Sequence, residues 1–379
     1  MNILHVASFV GNIGDNASHV GLYYILDQLV PKYTIRKMEI RKFYQNYQGS
    51  DKQCFDKEFV EYANKFDLLI LGGGGFLDYW VENSKTGTTI DISPYLVGKI
   101  KVPTLLTSMG CMPHKEVPDG NVKKFRIFLD AILSNNNIRI AVRNDGSLSS
   151  LKNDIGGRYS EEIPEILDNG FFYRCASNAN FPVKRNYAAI NITEDQLFMK
   201  SVYRKDINID KYVKSIAKIV DYICHEKGLD VVFVPHIYSD IKAIYEVVKQ
   251  LDNYVVRERV SVAPCIQFDD GANYLFSVYK NSDLTLASRL HSNVCSLAMN
   301  VPVIGLATLD RVRYMYDHIG ASDRYVSPVS EFHFEVHKKI DRLLADKNSL
   351  VSEVDANLRA KKKESLDFYS SSFAGFGAI

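Results

Sequence analysis

Arg289 and His291 are the residues of this chain best placed for chemistry, because both fall where a strand turns into a helix. The stretch from 281 to 305, NSDLTLASRLHSNVCSLAMNVPVIG, reads as strand, tight turn, helix, turn, strand. Alternation in Leu284–Ala287 gives the strand, and Ser288 is a good N-cap. Leu290, Val294, Leu297 and Ala298 recur at helical spacing, and Asn300 sits where a left-handed stop is wanted. Arg289 and His291 are thereby expected in the first helical turn, where unpaired N–H groups and the positive end of the helix dipole favour an anion. A guanidinium offers a planar fork matched to carboxylate or phosphate, and an imidazole moves a proton near neutral pH. The plainer alternative is a pair of helix-start residues bonded to neighbouring carboxylates.

Other residues of the same kind sit at strand ends. Gly11-Asn12-Ile13-Gly14-Asp15-Asn16 links the first strand to the first helix, so that a phosphate or sugar has room over the helix start. It is neither GxGxxG nor a P-loop, and the alternative is a tight turn capped by Asp15 or Asn16. Gly72–Gly75 ends another strand, and four glycines in a row favour close contact with a ligand or an opposing domain over a mere turn. Arg143 opens Arg-Asn-Asp-Gly-Ser; it serves either as a second arginine for a multiply charged anion or as a salt-bridge partner of Asp145 or Asp168. His236 follows the run Val231–Pro235 and falls in the same layer as His291, with a polar surface position as its alternative. The remaining histidines form no HExxH or similar set, so no protein-bound metal is expected. No Asp-x-Asp occurs, which argues against a metal-dependent glycosyltransferase of the single-domain type, and no GxSxG supports a serine nucleophile.

The elements that must position these residues alternate. Strand patterns at Ile3–Phe9, Tyr33–Ile40, Asp67–Leu71, Val102–Ser108 and Ile138–Val142 are separated by helical ones at Asn16–Leu29 and Val122–Leu133. Tyr187–Ile192, Val231–Pro235, Val260–Ala263, Leu284–Ala287 and Val301–Leu306 repeat the scheme, with a helix near Val213–Lys227. Such alternation implies parallel sheets covered on both faces. The expected fold is α/β, two Rossmann-like doubly wound domains facing each other across a cleft, with ligands beyond the carboxyl ends of the strands. The expected division is 1–174, a linker at 175–185 with loop composition, 186–331, and a charged helical segment with its tail at 332–379.

Composition narrows the function. At 379 residues there is room for two domains with large cores. A net charge of +1 gives no sign of a nucleic-acid surface. Six cysteines without CxxC or zinc spacing read as reduced thiols of a cytosolic enzyme. The N-terminus reads as a strand and not a signal peptide, and no run approaches the roughly 20 apolar residues of a membrane span. The tail, with Lys361, Lys362 and Lys363 before Phe368, Tyr369, Phe373 and Phe376, suggests either contact with anionic lipid or a solvated helix end with a disordered terminus.

The motifs together resemble the polysaccharide pyruvyl transferases, through most of residues 1–320. The likeness comprises Gly11–Asp15, Gly72–Gly75, Ser108–Gly110, Val142–Arg143 with Ser147, Asp168, and Ser288-Arg289-Leu290-His291 followed by Val301-Pro302-Val303-Ile304. Asn144 then Asp145 stand where the family has Asp directly after the arginine, and Arg311 replaces a lysine. Ser108–Pro113 is a reduced form of a Gly-x-Gly-x-Gly-Pro segment. The resemblance implies a GT-B-like architecture and transfer of pyruvate from phosphoenolpyruvate onto a sugar as a ketal, with no cofactor. His291, Arg289 and Asp15 would be catalytic; Arg143, His236, Ser288, Arg289 and His291 would bind the donor; Gly14, Asp15, Asn16, Gly73, Gly74 and Gly75 would bind the acceptor. It implies a saccharide partner, lipid-linked or not, in surface-polysaccharide assembly, in the cytoplasm or at the inner face of the membrane. Two alternatives stand beside it: a GT-B-type glycosyltransferase using a nucleotide sugar, and a non-catalytic saccharide-binding protein of the same fold.

Overall fold

In a computed structural model, residues 1–176, 181–199 and 205–377 are described; Ser177, Asn178 and Asn180 of the expected linker lie outside them. The described strands form two six-stranded sheets, parallel throughout. The first has the order β2-β1-β3-β4-β5-β6, with β1 (Asn2–Ala7), β2 (Thr34–Glu39), β3 (Leu68–Gly72), β4 (Thr104–Met109), β5 (Ile138–Arg143) and β6 (Glu165–Ile166). The second has the order β12-β11-β10-β7-β8-β9, with β7 (Tyr187–Asn191), β8 (Asp230–Phe233), β9 (Val260–Val262), β10 (Leu284–Ala287), β11 (Val303–Leu306) and β12 (Tyr325–Val326). Leu-Leu-Ile-Leu-Gly of β3 and Leu-Thr-Leu-Ala of β10 are buried along their whole length. Continuous apolar strands of this kind are what a sheet with helices on both faces requires.

In each sheet the chain starts in the middle and then reverses direction across the sheet. The reversal falls between β1 and β3 in the first sheet and between β7 and β10 in the second. Loops leaving neighbouring strands there diverge to opposite faces and open a crevice beyond the carboxyl ends, the usual ligand position in doubly wound sheets. Both units are Rossmann-like, and the fold is GT-B-like.

Contacts group the chain differently from the contiguous division expected. One unit comprises Met1–Phe9, Leu22–Asn169 and Lys361–Ile379, the other Val10–Gly21 and Gly170–Ala360. Packing explains the first exchange. Ile13 and Ala17, in the opening turns of the helix Ile13–Leu29, are fully buried with Tyr173, Ala189, Val232 and Phe276 of the second unit.

The C-terminal exchange is equally specific. The charged segment is two helices, His333–Ala345 and Lys347–Gly375, parted at Asp346. Val336, Ile340 and Leu343 of the former pack in the second unit's core. From Lys361 the latter belongs to the first unit, where the Leu167 N–H donates to Ser365 Oγ at 3.0 Å. Tyr369 is sealed, its hydroxyl bonded to Thr107 of β4 and, at 2.5 Å, to Asn169. The expected disordered terminus is therefore an ordered helix, because Tyr369 and Phe373 fill core positions. No helix among the described residues is long and apolar enough to cross a membrane.

Phe373→Ala should cost about 3–5 kcal/mol, the usual range for emptying a fully buried aromatic site. Thermal unfolding checks this; a midpoint unchanged from the parent would show that the helix end does not hold the first unit.

Candidate functional site

Three strands of the second sheet deliver their last residues to one pole: Asn191 from β7, the His236 segment after β8, and Ser288–Arg289 after β10. Asn191 links them. Its Oδ1 accepts from the Arg289 N–H and from Ser292 Oγ, both at 3.0 Å, and its Nδ2 donates to the Val234 carbonyl at 3.0 Å. Asn191 is fully buried, so these bonds fix the turn without competition from water. The helix Leu290–Ala298 starts one residue later than expected. Arg289, with extended backbone, is the N-cap, and only His291 of the pair lies in the first turn. Ser288 does not cap: its N–H donates to the Asn191 carbonyl at 2.9 Å and its hydroxyl lies 3.4 Å from that of Tyr212. The Arg289 side chain makes no cap hydrogen bond to this helix start. Asn300 does take the left-handed conformation expected of it, with φ of 59°.

Arg289 is 8% exposed and held by two carboxylates. Nε donates to both oxygens of Asp240, at 3.1 and 2.9 Å. Nη2 reaches Asp240 Oδ1 at 2.5 Å, Asp195 Oδ1 at 2.8 Å and Thr193 Oγ1 at 3.1 Å. Burial works against the charge, but Asp240 and then Asp195 outweigh it and raise the Arg289 pKa. The guanidinium is thus permanently charged and oriented by protein, leaving Nη1 as the edge with no hydrogen bond among the described residues. The plain alternative, pairing with carboxylates, is realised. It is compatible with anion binding through the remaining edge.

His291 meets the other end of the chain. Its Nδ1 lies 3.8 Å from Asp15 Oδ1, within ion-pair range when the imidazole is charged. Gly14 touches the same ring: a Cβ added there would come within 2.7 Å of Nδ1 and 2.8 Å of the His291 Cβ. Glycine is required at 14 for this close approach. The helix Ile13–Leu29 starts earlier than expected, and Asn12 holds its first turn, accepting from the Gly14 N–H at 3.1 Å and donating to Asp15 at 3.2 Å. Asn16 bonds Asp269 Oδ1 at 2.8 Å. Gly14, Asp15 and Asn16, expected on the acceptor side of the first domain, belong instead to the second unit.

His236 is buried completely and is not a surface residue. Its N–H donates to Asp240 Oδ2 at 2.9 Å, and its Nε2 lies 2.9 Å from the Tyr279 hydroxyl. Burial, followed by the charges of Arg289 and His291, pushes its pKa well below the ordinary histidine value.

The first unit gathers a separate set at the ends of β3, β4 and β5. Arg143 is sealed between Asp145 (Nε to Oδ2, 2.7 Å) and Asp168 (Nη1 to Oδ2, 3.2 Å). Burial opposes its charge, but Asp145 and Asp168 raise its pKa above the ordinary value. Asp145 also accepts from Ser147 at 2.5 Å, and Asn144 Oδ1 accepts from the Asp168 N–H at 2.9 Å. The glycine run serves packing first: a Cβ on Gly72 would strike the Thr107 carbonyl of β4. Gly73 is the member that needs a positive φ, 80°, while Gly74 and Gly75 lie against Phe76 and Asp78.

Several neighbours escaped the sequence reading. Asp195 and Asp240 are 94 and 49 residues from Arg289, and only a three-dimensional pairing reveals them. Asp78, with Oδ2 3.3 Å from His114 Nδ1, and Trp80, with Lys115 Nζ 4.0 Å from its ring, lie beyond the glycine run. A lone tryptophan shortly after four glycines was the available signal. Arg311, in the helix Asp310–His318, is half-buried.

A family model described as polysaccharide pyruvyl transferase matches residues 12–311, which takes in both arginines, His291 and Asp15. The chain belongs to that family. It is accordingly a carbohydrate-active enzyme on a GT-B-like fold. No curated protein matches by sequence. Among solved structures, UDP-GlcNAc 2-epimerase from Methanocaldococcus jannaschii is 12% identical with a TM-score of 0.56, covering 92% of this chain and 94% of that one. The α,α-trehalose 6-phosphate synthase from Burkholderia multivorans is 10% identical with a TM-score of 0.55, covering 100% and 98%. These likenesses describe the fold.

His236 makes the stability of this pole pH-dependent. The unfolded chain binds a proton at His236 near pH 6.5, whereas the folded one resists it. Its contribution is therefore complete above about 6.5 and is lost as pH falls below that value, with His333 and His337 shifted in the same direction. His236→Gln should lose less thermal stability between pH 7.5 and 5.5 than the parent. Equal losses would contradict the assignment.

Proposed function

We propose that this protein moves a pyruvyl group from phosphoenolpyruvate to two hydroxyls of a saccharide, forming a cyclic ketal and releasing phosphate. The observation that carries the reading is the convergence of Arg289, His291 and Asp15 at a helix start, on the reversal point of a Rossmann-like sheet. Membership of the family supports it.

Phosphoenolpyruvate carries a carboxylate and a phosphate on three carbons. The Nη1 edge of Arg289 and the first N–H groups of Leu290–Ala298 suit such a dianion. Asp240 and Asp195 hold the guanidinium in place before the ligand arrives, which lowers the reorganisation needed in the reaction. The protonated form of His291 would deliver its proton to the methylene carbon, leaving positive character on the carbon that bears the phosphate ester. A saccharide hydroxyl attacks that carbon and gives up its proton to the neutral imidazole or to Asp15. A second hydroxyl then displaces phosphate and closes the ketal, its proton leaving with the phosphate as hydrogen phosphate. His236, kept neutral, and Ser288, bonded to β7, would line the donor side. Gly73, Gly74, Gly75 and Arg143 remain candidates for the acceptor and for a second anion contact. The reaction needs no resident cofactor. The acceptor would be a sugar of a surface polysaccharide or its lipid-linked precursor, handled in the cytoplasm or at the inner membrane face.

A second reading draws on the solved structures of like fold, one of them a UDP-GlcNAc 2-epimerase. On this reading the same helix start and Arg289 would receive the pyrophosphate of a nucleotide sugar. Thermal shift with phosphoenolpyruvate against UDP-GlcNAc separates the two, because only a bound ligand stabilises the fold. Stabilisation by the nucleotide sugar alone favours the second reading. Phosphate release from phosphoenolpyruvate that requires an added saccharide favours the first and excludes a non-catalytic binder.

His291→Ala should lower turnover by about 10²–10⁴-fold while phosphoenolpyruvate binding largely survives. Steady-state phosphate release and a binding isotherm on the same variant check this; near-parental turnover would remove His291 as the acid.

A further inference from the structure

The end of the second sheet opposite Asn191 and Ser288 carries a different set of side chains. Asp221 and His225 are four residues apart on the helix Ile209–His225 and so share a face. Asp252 joins them from the N-cap of the helix Asn253–Glu258. One donor atom from each lies within 4.8 Å of the others, and His225 Nε2 is 4.0 Å from Asp252 Oδ2.

Three features orient this group. Asp252 Oδ1 is occupied by the N–H groups of Tyr254 and Val255, at 2.7 and 3.0 Å, leaving Oδ2 as the oxygen nearest His225. The Tyr254 ring stacks on His225 with centroids 6.4 Å apart. Asp221 Oδ1 is buried and accepts no hydrogen bond among the described residues, a costly state for a carboxylate oxygen. Two carboxylates thus share the neighbourhood of a single imidazole. His225 also closes a helix, where the dipole favours positive charge.

We propose that Asp221, His225 and Asp252 bind a divalent transition-metal cation of the zinc class. One imidazole nitrogen and two carboxylates form a borderline donor set that suits zinc, cobalt or nickel, whereas calcium and magnesium want six or more oxygens or near-complete octahedra. Zinc takes its ligands at about 2.0–2.2 Å, which places tetrahedral donors about 3.4 Å apart. Rotation of the exposed His225 and Asp252 side chains by about 1 Å closes the difference from the present spacing. Water completes the coordination. The spacing of histidines in the sequence gave no sign of this set, because its third member comes from another helix.

The position sets the role. His225 leads into β8 and Glu258 into β9, so the ion joins two connections at the amino ends of those strands. The residues proposed for chemistry lie at the carboxyl ends. The ion therefore braces the second unit and takes no part in turnover, and the proposal stands or falls independently of the pyruvyl-transfer reading.

Metal-free protein titrated with zinc chloride by calorimetry, alongside thermal unfolding, tests this. The parent should take up one ion at this site and unfold at a higher temperature. His225→Ala and Asp221→Asn, each confirmed folded by circular dichroism, should bind at least about tenfold more weakly and lose the thermal shift, and magnesium should have no effect. Absence of stoichiometric binding in the parent would overturn the proposal. So would an isotherm unchanged by His225→Ala, which would place the ion on thiols or histidines elsewhere.

Discussion

The carboxylate of Asp240 holds the functional pole of the second unit together. It is fully buried, accepts the N–H of His236, lies within reach of that of Ile237, and receives Nε and Nη2 of Arg289. The junction after β8 is thereby tied to the junction after β10, and Asn191 ties both to β7. A buried ion pair adds little net stability over apolar packing, but removing one partner strands a charge and costs about 3–5 kcal/mol. The pair is better understood as a device for orientation. Arg289 cannot relax toward other carboxylates, and its open edge stays aimed by the groups behind it.

From this anchor the other contacts follow. Fixing Arg289 as the N-cap places His291 in the first turn, and the absence of a Cβ on Gly14 lets the Asp15 turn close on the imidazole. Burial, and then the charges of Arg289 and His291, hold the His236 pKa well below the ordinary histidine value. Arg143 in the first unit repeats the device with Asp145 and Asp168. Two arginines held by buried acids, one per sheet, give each unit a fixed positive group at its carboxyl-end pole.

Much of this was legible in the sequence. Apolar runs locate ten of the twelve described strands, with β10 at Leu284–Ala287 matched to the residue, whereas the two-residue edge strands β6 and β12 are too short to carry a pattern. Arg289 and His291 stand out because they fall at a strand-to-helix turn, where a helix start favours an anion. What the sequence concealed was non-local. Ser288 looks like a cap, but Asn191, nearly a hundred residues earlier, takes the Arg289 N–H and moves the helix start. Asp15 looks like part of the first domain, but Ile13 and Ala17 bury against Tyr173 and Phe276 and carry the turn into the second unit. The tail looks solvated because its lysines are exposed or half-exposed, while Tyr369 and Phe373 lie on the other side of the same helix, buried. Local pattern reports a residue's own preference; partners brought by tertiary packing decide the outcome.

The central claim, that Asp240 sets Arg289 for an anionic donor, is tested most directly by Asp240→Asn. The substitution keeps the size of the side chain and one acceptor oxygen but removes the charge. Titration with phosphoenolpyruvate should show affinity reduced by about tenfold or more, the equivalent of about 1.4 kcal/mol, in a protein that remains folded. Affinity equal to that of the parent would contradict the account.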